Sequence, residues 1–235
     1  AGATGVELAA ELVEYVKETL HSYYDNSKIR KEDIKISLIT NTAQVINVFP
    51  ERMRVLAELS LKDRGINLIT NATVSKVEHG QITFADSTTL KAHTIIWVAG
   101  VKPSLSSIKG IDIGQKGRMD INEYLQNTND PTIFGLGDAS GTLPMLAQIA
   151  VQQAKTLAYN IYAHKGGHRL HKFETNIKGL LISLGQWNAL GNFHGITLSG
   201  PVMWFIWRTV YLFNFNSWKR RLEIAIEWTV NLFYP

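Results

Sequence analysis

The sequence predicts an α/β domain of three layers, and three observations predict it. Apolar residues Val6, Ala9, Val13, Val16 and Leu20 recur at helical spacing directly after a glycine-containing start. Strand-like and helix-like stretches then alternate as far as Ile69. Three short strand candidates, separated by turn residues, follow before residue 100.

Taken in order, the first helix is predicted to reach about Tyr24, and a polar stretch leads to an alternating strand over Ile34–Ile39. Pro50 to Arg64 reads as the second helix, with Pro at its start and Gly65 just past its end. Ile66–Ile69 is a third strand. Thr73–Glu78, Gln81–Phe84 and Thr89–Val98 read as a meander, with turns at His79-Gly80 and Ala85-Asp86-Ser87. The last of these ends in Ala99-Gly100, a small-residue strand end where a chain can pass close to a cofactor.

Ala1-Gly2-Ala3-Thr4-Gly5-Val6-Glu7 carries the second and third glycines of a G-x-G-x-x-G turn. The first glycine and its strand would fall before Ala1, so an N-terminal half is expected outside this chain. In such a turn the second glycine lets the backbone approach a pyrophosphate and the third lets helix and strand pack closely. The helix N-terminus then offers N–H groups and a positive dipole end to the phosphates. Gly2, Thr4 and Gly5 are therefore candidate nucleotide ligands. Residues alone also admit a plain glycine-containing helix start, and a Glu placed by the helix dipole. Thr40, after the second strand, stands where the adenosine ribose would lie, with Asn41 beside it. Neither carries the charge that repels a 2′-phosphate, so the choice between NADH and NADPH stays open.

Composition narrows the chemistry. The 235 residues include no cysteine, which excludes disulfides, thiolate zinc sites and cysteine nucleophiles within the chain. No metal site is expected. Charge is uneven: residues 1–160 carry 16 Lys/Arg and 17 Asp/Glu, whereas residues 161–235 carry 8 and 3, with five of the six Trp. A basic, Trp-rich end on a near-neutral body points to an anionic surface.

Ile133-Phe134-Gly135-Leu136-Gly137-Asp138 is a strand-like run ending in Gly-Asp, and Pro144 to Gln153 reads Pro-Met-Leu-Ala-Gln-Ile-Ala-Val-Gln-Gln. The first resembles the second flavin fingerprint of the two-dinucleotide-binding flavoprotein superfamily. The second resembles the Ala-Gln-x-Ala-x-Gln-Gln signature of type II NADH:quinone oxidoreductases. On residues alone, Asp138 could instead be a buried cap of the next helix, and the glutamines a water-facing stripe. The resemblance covers essentially the whole chain and lacks the N-terminal FAD-binding half. It implies an incomplete two-dinucleotide-binding-domain flavoprotein, with FAD and NAD(H) as cofactors. Electrons would pass from NADH through FAD to a membrane quinone, without proton pumping. It implies that Asp138, with Gly137, meets the ribityl chain, and that Ala147 and Gln148 open a helix against the flavin. It also implies that Gln148 and Gln152 line the quinone pocket, that Glu7 meets the nicotinamide, and that Lys178 lies near flavin and quinone. A soluble reductase of the same superfamily, or an inert NAD(P)-binding fragment, is the alternative. Relatives that need redox cysteines in this region are disfavoured.

Three parts are expected: residues 1–98 for NAD(P)H, 99–165 for the rest of the FAD domain, and 166–235 for membrane docking. The last contains Trp204, Phe205, Trp207, Tyr211, Phe213, Phe215, Trp218 and Trp228 around Lys219-Arg220-Arg221. Pro201, Arg208 and Asn214 spoil a spanning helix, since a central Arg costs roughly 2.5–3.5 kcal/mol on insertion scales. An interfacial amphipathic helix fits better. A peripheral, monotopic protein on the cytoplasmic face of the plasma membrane is expected. A homodimer is admitted, and a nucleic-acid partner is not expected, because no basic stripe runs along the chain.

Overall fold

The computed structural model describes residues 1–20, 33–101, 103, 105, 111, 113–114, 117–141 and 143–233. The chain divides into two compact units, Ala1–Ala99 with Gly179–Pro235, and Gly100–Lys178. The sequence-based division at 98 and 165 set the tail apart. In the structure residues 166–178 fall with the second unit, and Gly179 onward groups with the first.

In the first unit, α1 (Ala3–Glu14) passes into a π-helical turn at Tyr15–Leu20. The expected continuation to Tyr24 lies outside the described residues. β1 (Ser37–Ile39), α2 (Glu51–Asp63) and β2 (Asn67–Ile69) form a βαβ unit whose two strands pair in parallel. The first strand is thus shorter than the expected Ile34–Ile39. β3 (Val74–Glu78), β4 (Gln81–Phe84) and β5 (Thr89–Lys91) make an antiparallel meander. The strand expected to run on to Val98 stops at Lys91. No described strand lies beside Thr94–Val98 to complete a ladder, and Ile96, Trp97 and Val98 are exposed there. The apolar run carried a strand's composition without a strand's partner.

The C-terminal part of this unit adds an antiparallel sheet of β6 (Leu180–Ser183), β7 (Ala189–Phe193) and β8 (Ile196–Gly200), then α4 (Pro201–Asn214) and α5 (Trp218–Phe233). One core joins both parts of the unit. Val6, Ala9, Ala10 and Val13 of α1 bury one helical face against Leu38, against Met53, Ala57 and Leu61 of α2, and against Ile182, Leu184 and Leu190. A second cluster forms where Met203 and Trp204 of α4 meet Ala189. No described helix is long and apolar enough to cross a membrane.

The second unit is built on α3 (Ala147–Gly166). The stretch before it is irregular, with single bridges such as Gln126 to Phe134 and a 3₁₀ turn at Gly137–Ala139. The strand expected over Ile133–Asp138 is therefore reduced to one bridge and that turn. Asn160, fully buried on α3, donates to the carbonyls of Tyr124 (2.9 Å) and His171 (2.8 Å) and accepts the His171 N–H (2.8 Å). This is why residues 166–178 stay with the helix.

Candidate functional site

The glycine turn sits at the carboxyl end of β1. The Ala1 amino group donates to the Ile39 carbonyl at 3.1 Å, and the Ile46 N–H donates to the Ala1 carbonyl at 2.8 Å. At Gly5 an added Cβ would meet Val98 Cγ2 at 3.3 Å and Leu38 Cδ1 at 3.4 Å, so the helix lies close against the strand. At Gly2 an added Cβ would meet nothing within 4 Å. That open side, an N-cap with no side-chain hydrogen bond and a first turn free of acidic residues are what a pyrophosphate needs. Thr4 is exposed in the same turn.

Glu7 is half-buried in the second turn of α1, not the first, so the dipole argument for it fails. Its carboxylate accepts the Ser183 N–H at 3.0 Å, while the Ser183 hydroxyl reaches Glu11 at 3.2 Å and Glu14 accepts the Gln186 N–H at 2.7 Å. Burial raises the Glu7 carboxyl above the ordinary carboxylate range. The Ser183 N–H pulls it back down and the Glu11 charge adds to the rise. Sequence reasoning missed Ser183. The spacing of Glu7, Glu11 and Glu14 places them on one helical face, but nothing local names its partner.

Thr40 is buried, and its hydroxyl lies 2.8 Å from that of Thr42, which donates on to the Gln44 carbonyl. The side chain is thus committed to a local turn, and Asn41 is the exposed neighbour. The Ala99 carbonyl accepts the Trp97 indole N–H at 2.9 Å. Gly100, at φ +75°, has nothing within 4 Å of a would-be Cβ.

In the second unit, Gly137 stands at φ +62°, and a Cβ there would lie 3.3 Å from that of Ala150 on α3. Its N–H donates to Gln153 Oε1 at 2.6 Å, and Gln153 is itself buried. The neighbouring Asp138 is exposed, and the N-cap of α3 is Leu146 with no side-chain bond, so Asp138 does not cap that helix. Ala147 is exposed at the uncapped helix start, whose first turn holds no acidic residue.

Gln148 and Gln152 project one turn apart and reach the same extended segment. Gln152 accepts the Asn176 N–H at 3.1 Å and donates to the Asn176 carbonyl at 2.8 Å, and Gln148 accepts the Lys178 N–H at 3.3 Å. The lengths match, because four helical residues rise about 6 Å and two extended residues span about 6.6 Å. Lys178 is held by its backbone and its side chain is exposed. The predicted residues thus gather in two sets, one in each unit. Gln153 went unremarked because the four-residue spacing drew attention to the other two glutamines.

A glycine turn at a strand end, a second turn clamped to a helix and an uncapped helix start are features of a pyridine nucleotide flavoprotein. The sequence matches the pyridine nucleotide-disulphide oxidoreductase family over residues 1–154, and the chain belongs to that family. Residues 177–234 match the NDH2 C-terminal domain. The chain is 30% identical over 97% of its length to an internal alternative NAD(P)H-ubiquinone oxidoreductase A1, mitochondrial, of Arabidopsis thaliana, covering 49% of that protein. It is 30% identical over 96% of its length to a type II NADH:quinone oxidoreductase of Haemophilus influenzae, covering 54% of it. The chain thus spans about half the length of these curated relatives. Among solved structures, NDH2 of Plasmodium falciparum in complex with NADH superposes with a TM-score of 0.85 at 17% identity, covering 99% of this chain and 64% of that one. A sulfide:quinone oxidoreductase of Aquifex aeolicus superposes with a TM-score of 0.65 at 16% identity, covering 85% of this chain and 52% of that one.

Proposed function

We propose that the protein carrying this chain is an FAD-dependent NAD(P)H:quinone oxidoreductase that does not pump protons. The observation that carries this reading is α3. One helix clamps the Gly137–Asp138 turn, presents an uncapped N-terminus and aligns Gln148 and Gln152 along one face. FAD, when bound, would accept a hydride from the nicotinamide, with a proton from solvent, and pass two electrons and two protons on to the quinone. The chain's own residues position and stabilise. The open side of Gly2 and the free N–H groups of α1 take the dinucleotide phosphates. Asp138, exposed at its turn, accepts from ribityl hydroxyls, and the α3 N-terminus favours negative charge on the reduced ring. Glu7, held by Ser183, borders the nicotinamide. With Thr40 tied into its local turn, Asn41 is left to meet the ribose, and no acidic group there rejects a 2′-phosphate.

Gln148 and Gln152 are neutral amides, which border an apolar acceptor without burying a charge. Their engagement with residues 176–178 fixes the exposed Lys178 beside them. Gln148→Ala should slow quinone reduction by one to two orders of magnitude while flavin reduction by NADH stays within about twofold. Stopped-flow measurement of the two half-reactions decides it. Equal loss in both would remove Gln148 from the quinone site.

The tail supports docking at a membrane surface. Trp218, Leu222, Ile226 and Val230 form an exposed stripe at four-residue spacing along α5, and Val202, Phe205, Tyr211 and Phe213 are exposed on α4. With basic Lys219 and Arg220 alongside, this suits the anionic cytoplasmic leaflet of the plasma membrane.

A further inference from the structure

We infer that Gln153 is a positioning residue for flavin. Through the Gly137 N–H it fixes the turn that aims Asp138. The inference rests on the flavin reading above and adds a residue to it. Gln153 is 2% exposed, and its Oε1 is spent on a backbone N–H 16 residues earlier, at 2.6 Å. That N–H belongs to a glycine in left-handed backbone, the first residue of the 3₁₀ turn that carries Asp138. Glycine adopts this backbone without steric cost but has no side chain to hold it there, so an acceptor on its N–H favours one orientation of the turn. Gly137 also lies against Ala150, one turn before Gln153 on α3, so the turn is gripped at two points on one helical face. Asp138 itself remains exposed and ready to accept hydrogen bonds.

The neighbouring residue does the complementary task. Gln152 points to another side of α3 and pairs with both polar groups of the Asn176 backbone. Two successive glutamines thereby tie the Asp138 turn and the 176–178 segment to adjacent positions of one rigid helix. In this arrangement Gln153 does not have to touch cofactor or substrate. It sets where Asp138 stands.

The experiment measures FAD affinity and the flavin absorbance spectrum of the holoenzyme and its variants. Gln153→Met keeps length and apolar fit but removes the acceptor, and should weaken FAD binding about tenfold, the scale of leaving one buried N–H unpaired. Gln153→Glu keeps an acceptor oxygen in either protonation state and should restore affinity to within about threefold. In the double variant Asp138→Ala/Gln153→Met, the loss should match that of Asp138→Ala alone, because one residue acts through the other. Additive losses would make Gln153 a plain packing residue. Wild-type affinity and spectrum in Gln153→Met, or equal losses in the Met and Glu variants, would overturn the inference. If Gln153→Met does not fold, the Glu variant decides alone: a tenfold loss there refutes the acceptor role. An unsubstituted holoenzyme that binds no FAD would instead overturn the flavin reading itself.

Discussion

The Glu7 carboxylate accepts the backbone N–H of Ser183 at 3.0 Å, joining α1 to β6 across 176 residues of sequence. The same carboxyl is raised by burial and further by the Glu11 charge, and its own charge in turn raises the half-buried Tyr211 phenol, after burial. A side chain proposed to border the nicotinamide is thus also part of the joint between the N-terminal helix and the C-terminal sheet.

The first prediction is a pH dependence. A folded-state pKa above the unfolded value means that Glu7 contributes stability below the unfolded carboxyl pKa and loses it as pH rises through the raised value. Glutamine at this position stays neutral, and its carbonyl oxygen still accepts the Ser183 N–H. Glu7→Gln should therefore melt close to the parent protein below about pH 4 and progressively above it as pH rises through the raised Glu7 value. Thermal unfolding followed by circular dichroism across that range provides the check. A difference that stays constant, or that grows toward acid, would refute it.

Gly5 supplies the second. Alanine there meets Val98 and Leu38 at 3.3–3.4 Å, contacts that those side chains can relieve by small shifts, while it gains helix propensity. Its net effect on stability should stay below about 1 kcal/mol. Valine adds two further methyl groups in the same gap and should destabilise by about 1–3 kcal/mol, the usual range for overpacking. Urea unfolding of both variants distinguishes them. If Gly5→Val is as stable as Gly5→Ala, the close approach of α1 to β1 is not what the glycine serves.

Asn160 gives the third. Its three hydrogen bonds hold Tyr124 and His171 to α3, and alanine would leave each of those backbone groups to find another partner. A buried group left unpaired costs about 1–3 kcal/mol, so Asn160→Ala should lower the melting temperature. It should also hasten tryptic cleavage at Arg169 and Lys172, which lie in the released segment. Unchanged cleavage there would show that the loop is held by other means, such as the Lys172–Glu123 ion pair at 2.8 Å.

What was legible in the sequence, and what was not, divides along physical lines. α2 could be placed because Pro50 and Gly65 punctuate it, and β3 and β4 because turn residues bound them. These are local signals. Thr94–Val98 misled because strand character in composition says nothing about whether a partner strand is adjacent. The amphipathic tail was visible in its aromatics and charges. That β6 and β7 belong to the same core as α1 was not visible, since Ile182 and Leu190 look like any short apolar strand. The glutamine signature located the important helix, but the partners of its side chains lie 16 to 30 residues away and only the fold names them.

The basic trio yields the last prediction, because its members play different parts. Arg221 is turned inward: it donates to the Phe215 carbonyl at 2.7 Å and the Phe213 carbonyl at 3.0 Å, closing the end of α4, and it lies over the Phe213 and Trp218 rings. Lys219 and Arg220 are exposed and form ion pairs with Glu223 at 4.0 and 3.2 Å. Arg208, between Trp204 at 4.1 Å and Trp228 at 4.5 Å, pins α5 to α4. On vesicles containing anionic lipid, Lys219→Gln and Arg220→Gln should each weaken binding roughly fivefold, and added salt should erase the difference. Ile226→Asp should weaken binding at any salt concentration, because it interrupts the apolar stripe rather than the surface charge. Arg221→Gln and Arg208→Gln should instead loosen α5, read as faster amide hydrogen exchange in residues 218–230 before any lipid is added. If all five variants lose binding equally and in the same salt-dependent way, the tail is a diffuse cationic patch and the stripe on α5 is not its contact surface.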